Sequence, residues 1–425
     1  MALGSPARWA FLLAVAVVAI ALAAKRGALR DALREPVYLV AAGLLGLMTL
    51  SLAWTVDVPV TLERTASFGT LVVAAAALAW AARGVPRFAE RVLLGLLLGA
   101  AAVAAAGLFV LLISPDDALQ GATTQSGFRY RGVGENPNTI SMLAGIATPL
   151  GLWAAIEARS ALNRGLAVTS LALFYFTIVL SGSRGALLAS VAGATVVTVT
   201  SAPVLRVRLA RTAAVAALLV VAVGIGRLPQ PEQVSAPVTT SPGPTSTTPE
   251  PTVETPPVVV PPSERPGGAL ADEAGRPTSL ARRGLLDSSG RILAWRMAIA
   301  QANKRPALGY GFGTEDAVFV DRIYTFQSRR PENSLIGIYL QLGLAGVALL
   351  LAIAAAGLTS AVRAARGELA GRGVALAAAG VVVAGGVMAL VQSYVYAAGN
   401  IATLTVWTCL FLLTVAAASW SRRSE

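Results

Sequence analysis

Apolar positions in this chain fall in long continuous runs, not in stripes or strict alternation. Phe11 to Ala24, Val37 to Trp54 and Val92 to Ile113 each approach or exceed the roughly 20 residues that a helix needs to cross a bilayer core. The period-two pattern of barrel strands is absent, so a bundle of helices is the structure that satisfies this backbone in lipid. The runs predict spans at 8–24, 37–54, 66–82, 90–113, 138–156, 165–181, 185–200, 211–227, 333–358, 373–391 and 400–419. The expected fold is all-α: a polytopic helical membrane protein of eleven transmembrane helices, or twelve if a weaker span is present, with one large extracytoplasmic loop. The first run is read as a span and not a signal peptide, because a single arginine precedes it and the basic cluster follows it.

The polar positions between the runs alternate in character. Lys25, Arg26, Arg30 and Arg34 crowd one connection, and Arg83, Arg87 and Arg91 another. Arg159 and Arg164, then Arg206, Arg208 and Arg211, then Arg363, Arg366 and Arg372 repeat the pattern, and Arg422 and Arg423 close it. The intervening short loops hold Arg64, Arg129, Arg131 and Arg184. By the positive-inside rule the first set is cytoplasmic, which places the C-terminus inside and the N-terminus outside. Three regions follow: an N-terminal bundle (1–227), an extracytoplasmic segment (228–332) and C-terminal helices (333–425). Within the second, the Pro/Thr/Ser/Val-rich stretch from Pro229 to Pro266 has too little apolar periodicity to pack and is expected to be disordered. An amphipathic helix is expected near 289–303, with Ile292, Trp295 and Ile299 on one stripe; Gly309, Gly311 and Gly313 then give a turn-rich passage.

Composition narrows the function. Hydrophobic residues make up 55% of the 425 and charged residues 13%, well below the quarter usual in soluble domains. The net charge of +12 is spread along the loops, so it reads as topology and not as a nucleic-acid footprint. There is no histidine, and the single cysteine, Cys409, lies in an apolar run; neither a metal site nor a cofactor is expected. No predicted span carries Asp or Glu near its middle, which argues against an ion-coupled transporter.

Three places on the expected outer side carry candidate chemistry. Arg129-Tyr130-Arg131-Gly132-Val133-Gly134-Glu135-Asn136-Pro137-Asn138 leads into an apolar helix. Asn136 and Pro137 suit a helix start, while two arginines beside a helix N-terminus suit an anion. Ser181-Gly182-Ser183-Arg184-Gly185 is a short turn whose arginine sits on the side where arginine is disfavoured. The large loop supplies Gly290-Arg291 and then Arg329-Arg330-Pro331-Glu332-Asn333-Ser334, where Glu332 is either a helix-start carboxylate or a reacting group. Outer arginines with one carboxylate suit the binding of a diphosphate lipid headgroup, since the guanidinium fork donates in pairs.

In order and spacing these residues resemble the O-antigen ligase / O-antigen polymerase family. The matching pieces are Ser51 to Asp57, Gly134 to Asn138, Leu180 to Ala186, Gly290-Arg291 through Trp295, Pro306 to Gly313, and Glu332 to Leu335 through Gly343 to Gly346. The resemblance implies a metal-independent, inverting glycosyltransferase in the cytoplasmic membrane. Its donor would be an undecaprenyl-diphosphate-linked oligosaccharide and its acceptor hydroxyl would belong to a glycan, lipid or protein. It places the donor arginines at Arg184 and Arg291, and the catalytic slot, a histidine in the family, at Glu332. Arg129, Arg131, Glu135, Asn136, Asn138 and Asn333 are the accompanying substrate-binding candidates, with Glu135 the rival base. A bicarbonate-transport-related transporter and a catalytically inactive glycan-binding relative are the alternatives.

Overall fold

The computed structural model describes residues 4–25, 35–83, 85–120, 129–134, 136–201, 291–319, 330–366 and 369–421. In chain order the elements are α1 (Gly4–Lys25), α2 (Pro36–Leu50) with a 3-10 turn (Ser51–Ala53), α3 (Val58–Ala82), α4 (Pro86–Ile113) and the short α5 (Pro115–Ala118). A two-residue antiparallel ladder of β1 (Leu119–Gln120) and β2 (Arg129–Tyr130) follows, then α6 (Pro137–Glu157), α7 (Ala161–Ser181) and α8 (Arg184–Ser201). After the large loop come α9 (Arg291–Ala302), the short α10 (Glu315–Val318), α11 (Ser334–Arg366), α12 (Leu369–Ala389) and α13 (Thr403–Ser421).

The chain is a polytopic helical membrane protein. Among the described residues 7 helices are long and apolar enough to cross a membrane, and shorter apolar helices cover Trp9–Lys25, Arg184–Thr198 and Thr403–Val415. All of these coincide with predicted spans. The predicted span at 211–227, the Pro/Thr-rich stretch and most of the large loop lie outside the described residues. The helix expected near 289–303 is present as α9. Helix α3 starts at Val58 and not at 66, because Asp57 caps it: its carboxylate accepts the Val60 N–H at 3.1 Å, with a proline in the first turn.

Helix α6 is the centre of the bundle; its apolar window is 72% buried, against 28% for that of α4. It packs on α7, α8 and α12. Where α8 meets α12, a Cβ on Gly193 would lie 2.6 Å from the Gly380 carbonyl oxygen, so the two backbones touch as small residues allow in membrane helix pairs. Large apolar side chains such as Phe11, Leu112 and Phe176 point outward, as they do toward lipid.

Helix α11 is broken at Gly343, which has φ 63° and ψ −159°. Beside the break, the 306–311 loop supplies the hydrogen bonds that the helix gives up. Leu344 N–H donates to the Pro306 carbonyl (2.8 Å) and Ala345 N–H to that of Ala307 (3.3 Å). The Leu340 and Gln341 carbonyls, which those amides would reach in an unbroken helix, instead accept from Tyr310 N–H (3.1 Å) and Gly311 N–H (2.9 Å). Irregular backbone inside a membrane protein persists only when its polar groups are paired in this way.

The same loop ties the ends of other helices together. Val56 N–H donates to the Tyr310 carbonyl, Trp54 Nε1 to that of Leu308, and Phe312 N–H to Ser51 Oγ. With Ser334 Oγ donating to the Gln392 carbonyl as well, the end of α2, the start of α3, the start of α11 and the connection from α12 to α13 meet at one end of the bundle.

Candidate functional site

Arg291 opens α9, and Glu332 lies two residues before α11. Although 41 positions separate them, Arg291 Nε and Nη2 both donate to Glu332 Oε2, at 2.9 and 2.6 Å. The side chains keep 26% and 20% exposure, so the pair is partly desolvated yet reachable. Glu332 has φ 51°, the only positive φ outside glycine among the described residues. That conformation costs about 1–2 kcal/mol and persists where its surroundings impose it. Here Trp295 Nε1 donates to the Pro331 carbonyl at 2.7 Å. Asn333 N–H donates to Ser393 Oγ (3.2 Å) and its Nδ2 to the Leu390 carbonyl (2.9 Å).

Asn333, not Glu332, caps α11: its Oδ1 accepts the N–H groups of Leu335 and Ile336 at 3.0 and 3.1 Å. The helix-start role considered for Glu332 thus falls to its neighbour, and the Glu332 carboxylate turns to Arg291. Asn333 is buried and spends its side chain on the scaffold.

The first two motifs are joined directly. Arg129 Nε donates to the Ser181 carbonyl (2.8 Å) and its Nη2 to Asn138 Oδ1 (3.1 Å). Arg131 Nε donates to the Asp117 carbonyl at 3.1 Å. Asn136 is the N-cap of α6, accepting Thr139 N–H at 2.9 Å. Glu135 lies outside the described residues. Gly182 closes α7 with φ 63°, and α8 begins at the half-buried Arg184. The next residue, Gly185, packs against Val391 and Met388, on the segment whose Leu390 and Ser393 hold Asn333. A continuous set of contacts thus runs from Arg129 through the Arg184 turn and the 388–393 segment to Asn333 and the Arg291–Glu332 pair.

Beside this pair lies a cluster that the sequence did not single out. Glu315 is 3% exposed and accepts Tyr396 Oη on both oxygens (3.0 Å each), Ser393 Oγ on Oε1 (3.1 Å) and Gln341 Nε2 on Oε2 (3.2 Å). Burial pushes its carboxyl up to about 7, against the opposing pull of Arg330, Tyr396 and Ser393. Arg330 pairs with Asp316 at 3.3 Å, and Arg64 lines the same small cleft. The available signal was the Glu315-Asp316 pair directly after the three-glycine passage; its burial depends on the fold-back against Gly337 and Tyr396. Among the described residues no three His, Cys, Asp or Glu side chains gather as a metal would require.

Residues 168–351 match the family model described as O-antigen ligase. The matched segment contains Arg184, Arg291, Glu315 and Glu332. No curated protein matches the chain. Among solved structures, a chain from "Structural coordination of polymerization and crosslinking by a peptidoglycan synthase complex" aligns at 16% identity and a TM-score of 0.45. That alignment covers 89% of this chain and 96% of the other, and at this score it carries no further weight.

Proposed function

We propose that this protein is an inverting glycosyltransferase of envelope polysaccharide synthesis, acting at the outer face of the cytoplasmic membrane. It moves a glycan from an undecaprenyl-diphosphate-linked donor to an acceptor hydroxyl, as ligase or polymerase. Its main support is the contact of Arg291 with Glu332: two segments far apart in sequence meet beside a membrane helix start, within the stretch that matches the O-antigen ligase model.

In this reading Arg184 and Arg291 grip the diphosphate, whose charge grows as the glycosyl bond breaks. The acceptor oxygen attacks the anomeric carbon from the opposite side, its proton passes to Glu332, and the lipid diphosphate departs. Arg291 donates twice to Glu332 Oε2, so the guanidinium and the base lie side by side. Arg129 and Asn138 brace the Ser181–Arg184 turn from behind.

The test is transfer from a purified lipid-linked donor by the full-length protein in lipid nanodiscs. Arg184→Lys and Arg291→Lys should each weaken transfer by tenfold or more, because lysine keeps the charge without the fork. Glu332→Gln should lose about 10²–10⁴ in turnover while still binding donor. Normal transfer by all three variants would refute the assignment. Uptake of a small anion into vesicles with no glycan product would favour the transporter.

A further inference from the structure

The left-handed backbone of Glu332 has a deep anchor. Asn333 N–H donates to Ser393 Oγ, and Ser393 Oγ donates in turn to Glu315 Oε1. Tyr396 and Gln341 also donate to Glu315, so every hydrogen-bond partner of this buried carboxylate offers it a proton. Such a setting fits the ionised form. A protonated Glu315 has to give its proton to one of these hydroxyls. If Ser393 receives it, the Ser393 hydroxyl turns from Glu315 toward the Asn333 carbonyl, 3.4 Å away, and the anchor on the turn changes. The site has no slack: a Cβ on Gly337 would lie 2.6 Å from Glu315 Oε1 and would overlap Tyr396 Oη.

We propose that Glu315 is a positioning residue for the transfer reaction: its carboxylate, acting through Ser393, holds the Pro331–Glu332–Asn333 turn in the conformation that presents Glu332. This rests on the role assigned above to Glu332. The charged and titratable groups facing Glu315 are Arg64 from α3, Asp316 on its own short helix, Arg330 ahead of α11 and Tyr396 from the α12–α13 connection. Burial is the largest influence and raises Glu315 to about 7. The hold is therefore complete above neutrality and weakens as pH falls through that value, to the extent that Ser393 takes the proton.

Two measurements on the full-length protein in nanodiscs test this. In transfer assays, Glu315→Gln and Ser393→Ala should each lower kcat at least tenfold with donor KM within twofold. Wild type should show an acid limb near pH 7, and Glu315→Gln should remove it, which a simple loss of folded protein does not do. The second measurement needs no turnover: Arg291→Cys and Glu332→Cys are joined by a short thiol-to-thiol cross-linker, the native Cys409 being buried. Adding Glu315→Gln should lower the cross-linking yield at least threefold. Unchanged kcat, acid limb and cross-linking in both variants would overturn the inference. A wild-type protein that transfers no glycan, but whose cross-link responds to Glu315→Gln, would refute the transferase reading and uphold the hold on the turn.

Discussion

Glu315 and Glu332 are two carboxylates of one site with opposite environments. Glu332 lies against a guanidinium at the rim, while Glu315 is enclosed among hydroxyls and an amide. Burial raises the Glu315 carboxyl from its ordinary 4.5 to about 7. Between those values the folded chain keeps a proton that the unfolded chain releases. That contribution to stability is fully present below about 4.5 and is lost as pH rises through about 7. Melting in detergent should therefore weaken from pH 5 to pH 8, and Glu315→Gln should flatten the slope; an identical slope in the variant would contradict this. The ionised form that anchors the turn is thus also the less stable one. Arg184, Arg291 and Glu332 were legible as candidates because motif order marks them. Glu315 was not, since nothing local in Thr314-Glu315-Asp316-Ala317 says that Tyr396 will close over it.

At the scale of elements, the spans were readable because lipid requires an uninterrupted apolar helix, and that requirement is written residue by residue. Two features escaped. The start of α3 is polar, with Thr61, Glu63 and Arg64 in its first turns, so hydropathy located it late. The break in α11 falls at a glycine inside an apolar run, where nothing local distinguishes a kink from a continuous helix. Its necessity is steric: a Cβ on Gly343 would lie 2.3 Å from the Ala307 carbonyl group, at a φ that L residues avoid. Gly343→Ala should cost at least about 2 kcal/mol, combining left-handed strain with a backbone clash. Gly386→Ala in α12, where a Cβ meets nothing within 4 Å, should be neutral or stabilising by up to about 1 kcal/mol. Thermal unfolding of the two variants in one detergent checks the contrast, and equal melting temperatures would count against the splice.

At the scale of the whole molecule, the charge alternation supplied an expected orientation, and the fold gathers the described candidate residues at one end of the bundle. Arg83, Arg159 and Arg372 lie toward the other, at helix ends pointing away from the site. Reporter fusions after Lys25, Arg87, Arg206 and Arg366 should report cytoplasm, and one near Thr245 the outside. A cytoplasmic signal near Thr245 would move every proposed site residue to the wrong side for a lipid-linked donor presented outside. The spliced helix has a consequence for biogenesis. The ribosome delivers Pro306 to Gly311 before Leu340 to Ala345, and the backbone of α11 is fully paired only when both are in place. With the orientation expected here, the large loop has to be translocated before that span can be completed. The span is then finished from the aqueous side by a segment that precedes it in the chain.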